Sequence, residues 1–137
     1  MGGMLLVLAV SAFSHGAYIE KTYSDIQGDW SNIQTYGSFE FAGQSYPLKL
    51  IPVIPADNLS DQRPAILFFH GWGEGLGANL SFARDFAARG YVTFDVTWVP
   101  EGLFWDSMHI PNGAVAVRWV HDHANEYGID PSKICVY

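Results

Sequence analysis

The clearest pattern in the chain is an apolar run, Ala65-Ile66-Leu67-Phe68-Phe69, that breaks into His70-Gly71-Trp72-Gly73-Glu74-Gly75-Leu76-Gly77. A run apolar on both faces predicts a central parallel strand covered by helices. The period then changes. Leu80, Ala83, Phe86 and Ala87 fall on one face of a helix over Asn79 to Arg89, and Gly90 predicts its end. Tyr91 to Val96 predicts a second strand, with Asp95 near its end. Asn112 predicts an N-cap, Ala114 to Tyr127 a second helix, and Gly128 its stop. Asp130-Pro131-Ser132-Lys133 predicts a turn into a third strand, Ile134 to Tyr137. Strands and helices alternating at this length predict an α/β domain, a mostly parallel sheet with helices on both faces.

The earlier part of the chain is patterned differently. Residues 17–35 are polar with scattered aromatics and predict an irregular lead-in. Tyr36 to Ile54 alternates loosely through Phe39, Phe41, Tyr46, Leu48 and Leu50, with Ala42-Gly43-Gln44 as a turn, which predicts an antiparallel hairpin at a sheet edge. Pro52 and Pro55 break the run, and an edge tolerates both. Residues 56–63 predict a polar loop. Val99 to Pro111 predicts a loop whose Phe104, Trp105 and Met108 cover a pocket or pack beneath one. At the front, Met4 to Val10 is apolar and Ser14-His15-Gly16 supplies small residues before Ala17. Residues 1–16 are therefore expected to be a secretory signal peptide, leaving 17–137 as the domain of a secreted, extracellular protein. Export would make Asn58-Leu59-Ser60 and Asn79-Leu80-Ser81 glycosylation acceptors, the second lying close to the candidate site.

Composition narrows the function. At 137 residues and 49% hydrophobic, the chain has room for one domain with a sizeable core. Seven basic against fourteen acidic residues give a net charge of -7, so nothing draws the protein to nucleic acid, or to a membrane beyond a signal or anchor segment. Cys135 is the single cysteine; it excludes an internal disulfide and a cysteine zinc site and, among Ile134, Val136 and Tyr137, reads as a small buried hydrophobe. His121-Asp122-His123 resembles metal spacing, but residues two apart on a helix face different ways, and no third ligand is evident. Glu101, Asp106 and His109 share the long loop and read as solvated.

The glycine turn is where chemistry is expected. Glycines at alternate positions let backbone amides approach a ligand closely. The amides of Gly71, Trp72 and Gly73 are candidates to stabilise the oxyanion of acyl transfer, which fixed N–H groups do without reorganising. His70 is expected to orient the loop by hydrogen bonding to backbone. Asp95 reads either as a charged cap on its strand or as part of a site at the carboxyl edge of the sheet, where open α/β folds bind ligands. Two other readings share the turn. It can be a tight turn without a ligand. It also satisfies a loose G-x-G-x-x-A pattern from Gly73 to Ala78, with Asp95 about twenty residues further on, as in dinucleotide-binding units.

From about Pro47 to Tyr137 the chain resembles the N-terminal half of α/β-hydrolases of the esterase and lipase group, which includes hormone-sensitive-lipase-like, acetyl-xylan and feruloyl esterases. His70-Gly71-Trp72-Gly73 stands where that family carries a His-Gly-Gly-Gly oxyanion loop. Phe82 to Arg89 with Gly90-Tyr91-Val92 resembles its helix and fourth strand, and Ala116 to Trp119 with Tyr127 to Ile134 resembles the approach to its nucleophile strand. Three departures stand out. Trp72 replaces a glycine, Asp95 is followed by Val96-Thr97-Trp98 instead of Tyr-Arg, and Asn112 stands where many members have Asp.

The resemblance implies serine hydrolysis of a small ester or an acylated carbohydrate, without a cofactor. It also implies a Gly-x-Ser-x-Gly elbow, an acid and a histidine after Tyr137. No serine of the sequence has that elbow context, so the expectation is a chain truncated before the nucleophile, without turnover by itself. A noncatalytic secreted binding protein of the same fold would read identically up to Tyr137. The aromatics Trp98, Phe104 and Trp105 mildly favour an apolar or aromatic acyl group.

Overall fold

The computed structural model describes residues 18–56, 62–71, 73–98 and 109–137. The expected signal peptide, the Asn58 acceptor, Trp72 and the aromatics Phe104 and Trp105 lie outside the described residues.

A two-residue strand β1 (Ile26–Gln27) leads into a 3-10 turn at Trp30–Asn32, capped by the Asp29 carboxylate, which accepts from the Ser31 amide at 2.7 Å. Strands β2 (Gln34–Phe41) and β3 (Gln44–Pro55) form the hairpin, closed by a turn in which Ala42 and Gly43 both have positive φ. Strand β4 (Arg63–Phe69) is followed by the glycine turn, helix α1 (Leu80–Ala87) and strand β5 (Val92–Val96). Helix α2 (His109–Asp122) and strand β6 (Ile129–Val136) complete the described elements.

The sheet order is β1-β3-β5-β4-β6, with β2 also paired to β3. Only β5-β4-β6 is parallel; β3 runs antiparallel to β1, β2 and β5. The sheet is therefore open and mixed, and the expectation of a mostly parallel sheet holds for its core alone. The two-residue turn accounts for β2 against β3, since it can only return the chain antiparallel, and β3 then joins the parallel core through its antiparallel pairing with β5. Nor is β3 an edge strand. It runs through both prolines, and Pro52 is buried opposite Phe94 of β5. Pro52 is tolerated because β2 pairs with β3 only as far as Leu50 and β1 begins at Ile54, so this interval has an unpaired flank for the missing N–H.

Alternation along β4 and β5 sorts the core into two layers. Ala65, Leu67, Val92, Phe94 and Val96 face the α2 side with Ala116, Val120 and Ala124, all buried. Ile66 and Phe68 face the other side with Ile51, Val53, Ala83 and Ala87 of α1. The small alanines of both helices let them lie close against the sheet.

Helix α2 starts earlier than the sequence predicts, at His109 instead of after Asn112, with Pro111 in its first turn, where the missing N–H would be unpaired anyway. It also ends at Asp122, short of Tyr127, and turns lead to a left-handed Gly128. The predicted turn at 130–133 is a bulge inside β6: Arg63 pairs with Ile129 and Ala65 with Ile134, and Asp130 accepts from the Ser132 amide at 3.0 Å.

Candidate active site

Strands β4 and β5 are parallel neighbours, so their carboxyl ends place His70, Asp95 and Trp98 at one edge of the sheet. The glycine turn between β4 and α1 crosses this edge. What holds it there is Asp95, which has no exposed surface. One carboxylate oxygen accepts from the Gly77 amide at 3.2 Å and the other from the Asn79 amide at 3.0 Å. Burial pushes the Asp95 carboxyl above the ordinary carboxylate range, against the pull of these two amides and of nearby His70. A buried acid bonded to the amides entering a helix satisfies donors that have no intrahelical partner. Asp95 is thus the anchor of the turn, the outcome its position left open.

Gly77 shows why the turn needs glycine. Its φ is +95°, and an added Cβ would lie 2.3 Å from the Trp30 ring, which covers the turn from outside. Gly73 is also left-handed, at φ +76°, with open space around its Cα. Gly71 and Gly75 have negative φ.

His70 is buried, and its Nδ1 lies 3.0 Å from the Gly71 carbonyl oxygen. A carbonyl only accepts, so Nδ1 carries a proton. Nε2 is buried and makes no hydrogen bond among the described residues. The imidazole thus bonds the carbonyl of the next residue in the loop. Gly71 is exposed, and its amide donates to the Glu74 carboxylate at 2.9 Å, while the Glu74 amide donates back to the Gly71 carbonyl at 3.3 Å. Trp72 lies outside the described residues, and Gly73 is exposed.

A chain of side-chain-to-backbone bonds braces the same edge. Trp98 Nε1 donates to the His70 carbonyl at 3.1 Å, Asn112 Nδ2 to the Trp98 carbonyl at 2.8 Å, and the Tyr36 hydroxyl to the Thr97 carbonyl at 2.7 Å. Trp98 also packs against the Phe69 ring, centroids 5.4 Å apart. Asn112 is therefore a buried brace inside α2 and not the cap that its sequence position predicts. Sequence reasoning missed Glu74 and Tyr36. Nothing in their local pattern pointed to these bonds, which span a turn and two strands.

Other candidates are placed elsewhere. His123 stacks on Trp119 with centroids 3.9 Å apart, and His121 lies beside its neighbour Asp122. No group of three or more metal-ligating side chains comes together among the described residues. Cys135 is exposed on β6, not the buried hydrophobe its neighbours predict; its thiol donates to the Ala65 carbonyl at 3.3 Å, and partial desolvation raises its pKa. Asn79 keeps its amide nitrogen buried without a partner among the described residues, so a glycan there would disturb the packing of the turn. No helix among the described residues is long and apolar enough to cross a membrane.

This arrangement, a β-α-β core with a glycine turn pinned at the carboxyl edge, is structurally homologous at the superfamily level to α/β-hydrolase-fold esterases of bacteria. The native thermophilic esterase Est2 from the Planctomycetes species Thermogutta terrifontis is 31% identical with a TM-score of 0.63, the match covering 76% of this chain and 38% of that one. Its butyrate-bound form matches at 30% identity and TM-score 0.63, with the same coverage. The form phosphorylated by paraoxon matches at 31% and 0.62, covering 76% of this chain and 41% of that one. The chain thus spans about 40% of the length of these esterases. No protein-family model and no curated protein matches it.

Proposed function

We propose that this chain is the oxyanion-loop portion of a secreted serine carboxylic-ester hydrolase, whose nucleophile, acid and histidine are supplied by residues beyond Tyr137. The observation that carries the reading is the turn from His70 to Asn79, fixed by buried Asp95 at the carboxyl edge of a sheet homologous to that of an esterase. Such a turn presents amides from a rigid base, which is what stabilisation of a tetrahedral oxyanion requires. In this account the donors to the oxyanion are the Trp72 and Gly73 amides, joined by that of Gly71 when Glu74 releases it, His70 orients them, and the elbow serine attacks the ester carbonyl. A small ester fits the reading, as Est2 is an esterase with a butyrate-bound form.

The dinucleotide reading meets a physical obstacle. The Gly77 and Asn79 amides, where a pyrophosphate would sit, already donate to Asp95.

The test is to translate the reading frame beyond Tyr137 and assay the complete product on nitrophenyl acetate, butyrate and octanoate. A Gly-x-Ser-x-Gly elbow with turnover abolished by its Ser→Ala variant is expected. An elbow without serine and no hydrolysis would leave a noncatalytic binding protein of this fold.

A further inference from the structure

The Gly71 amide already holds a carboxylate. Glu74 reaches back across two residues, and its Oε2 sits 2.9 Å from the Gly71 nitrogen, while its own amide closes the turn on the Gly71 carbonyl. A carboxylate oxygen has the charge and acceptor character of a tetrahedral oxyanion, and both groups favour a charge-assisted N–H bond. Glu74 and Gly71 are both exposed, so the carboxylate can rotate into solvent without unfolding the turn.

We infer that Glu74 is an internal occupant of the anion site at the Gly71 amide, holding that donor in the resting loop and yielding it to an incoming oxyanion or carboxylate. The inference rests on the esterase reading for the identity of the reacting anion; the anion site itself stands on the loop geometry. An external anion competes with a tethered one, and its apparent affinity falls by the fraction of time the amide is open. If Glu74 holds the amide about nine-tenths of the time, that loss is about tenfold.

The test is an acetate titration of the 15N-labelled protein followed at the Gly71 amide resonance, in the wild type and in Glu74→Ala and Glu74→Gln. The Gly77 and Asn79 resonances, held by Asp95, report that the turn keeps its fold. The expected result is a saturable Gly71 shift in Glu74→Ala at about one-tenth of the acetate concentration the wild type requires, with Glu74→Gln between them. Equal affinity in all three proteins, or a Gly71 resonance that ignores acetate in Glu74→Ala while Gly77 and Asn79 are unmoved, overturns the inference. Acetate binding with no ester hydrolysis by the complete product would keep this inference and remove the esterase; hydrolysis without an acetate response would do the reverse.

Discussion

Asp95 carries the most consequence of any single side chain. Its two bonds to backbone amides are charge-assisted and buried, so Asp95→Ala leaves two donors unpaired and is expected to cost about 2–4 kcal/mol in urea unfolding. Its raised pKa also sets a pH dependence. Burial makes the folded state bind a proton more tightly than the unfolded chain, so this contribution to stability is complete below the unfolded value near 3.8 and is lost as pH rises through the higher folded value. Unfolding of the wild type against Asp95→Asn across that acid window is expected to show this slope in the wild type alone. Asp130 works in the opposite sense: bonds from Ser132 and Lys133 hold its carboxyl down to about 2, so its contribution is present above the unfolded value and lost only as pH falls through about 2. Gly77→Ala is expected to cost about 2–4 kcal/mol, from a left-handed φ together with the Trp30 overlap. The glycine spacing marked this turn in the sequence, but which glycines are left-handed was not legible. At Gly77 the ring of Trp30, far away in sequence, also closes the space a side chain would need.

Among the elements, those whose residues repeat with a sharp period were the legible ones. Strand β4, with apolar side chains on both faces, and α1, with Ala83 and Ala87 toward the sheet, follow directly from local pattern. Helix α2 did not, because its first turn contains Pro111 and a buried Asn112, both of which read locally as a boundary. Strand β3 was misplaced at an edge because its prolines argue against ladder bonding. Their tolerance comes from a gap between β1 and β2 that only the tertiary register reveals. Tyr36 illustrates the same limit, since its hydroxyl joins β2 to the residue after β5. Tyr36→Phe is expected to keep the fold and lower stability by about 1 kcal/mol in urea unfolding. Burial raises the Tyr36 phenol well above its usual value, so alkaline spectrophotometric titration should show one tyrosine fewer ionising in the folded wild type than in the unfolded chain.

At the scale of the whole molecule, the sheet has a braced carboxyl edge and an apolar flank at β6, where Val136 and Tyr137 are exposed. The β-α-β core and the glycine turn at its carboxyl edge were readable because both follow from one strand, one turn and one helix in sequence; the antiparallel half of the sheet was not. The roles of Glu74, Asn112 and Tyr36 were not, since each is defined by a partner that the fold brings near. The central claim is that the turn belongs to a serine esterase whose nucleophile lies outside residues 1–137. Its most direct test is to treat the complete gene product with paraoxon, the reagent that phosphorylates Est2, and map the adduct by mass spectrometry. The account predicts one phosphorylated serine, in a Gly-x-Ser-x-Gly context after Tyr137, with loss of ester hydrolysis in step with labelling. No adduct, or an adduct on a serine within residues 1–137, would contradict it.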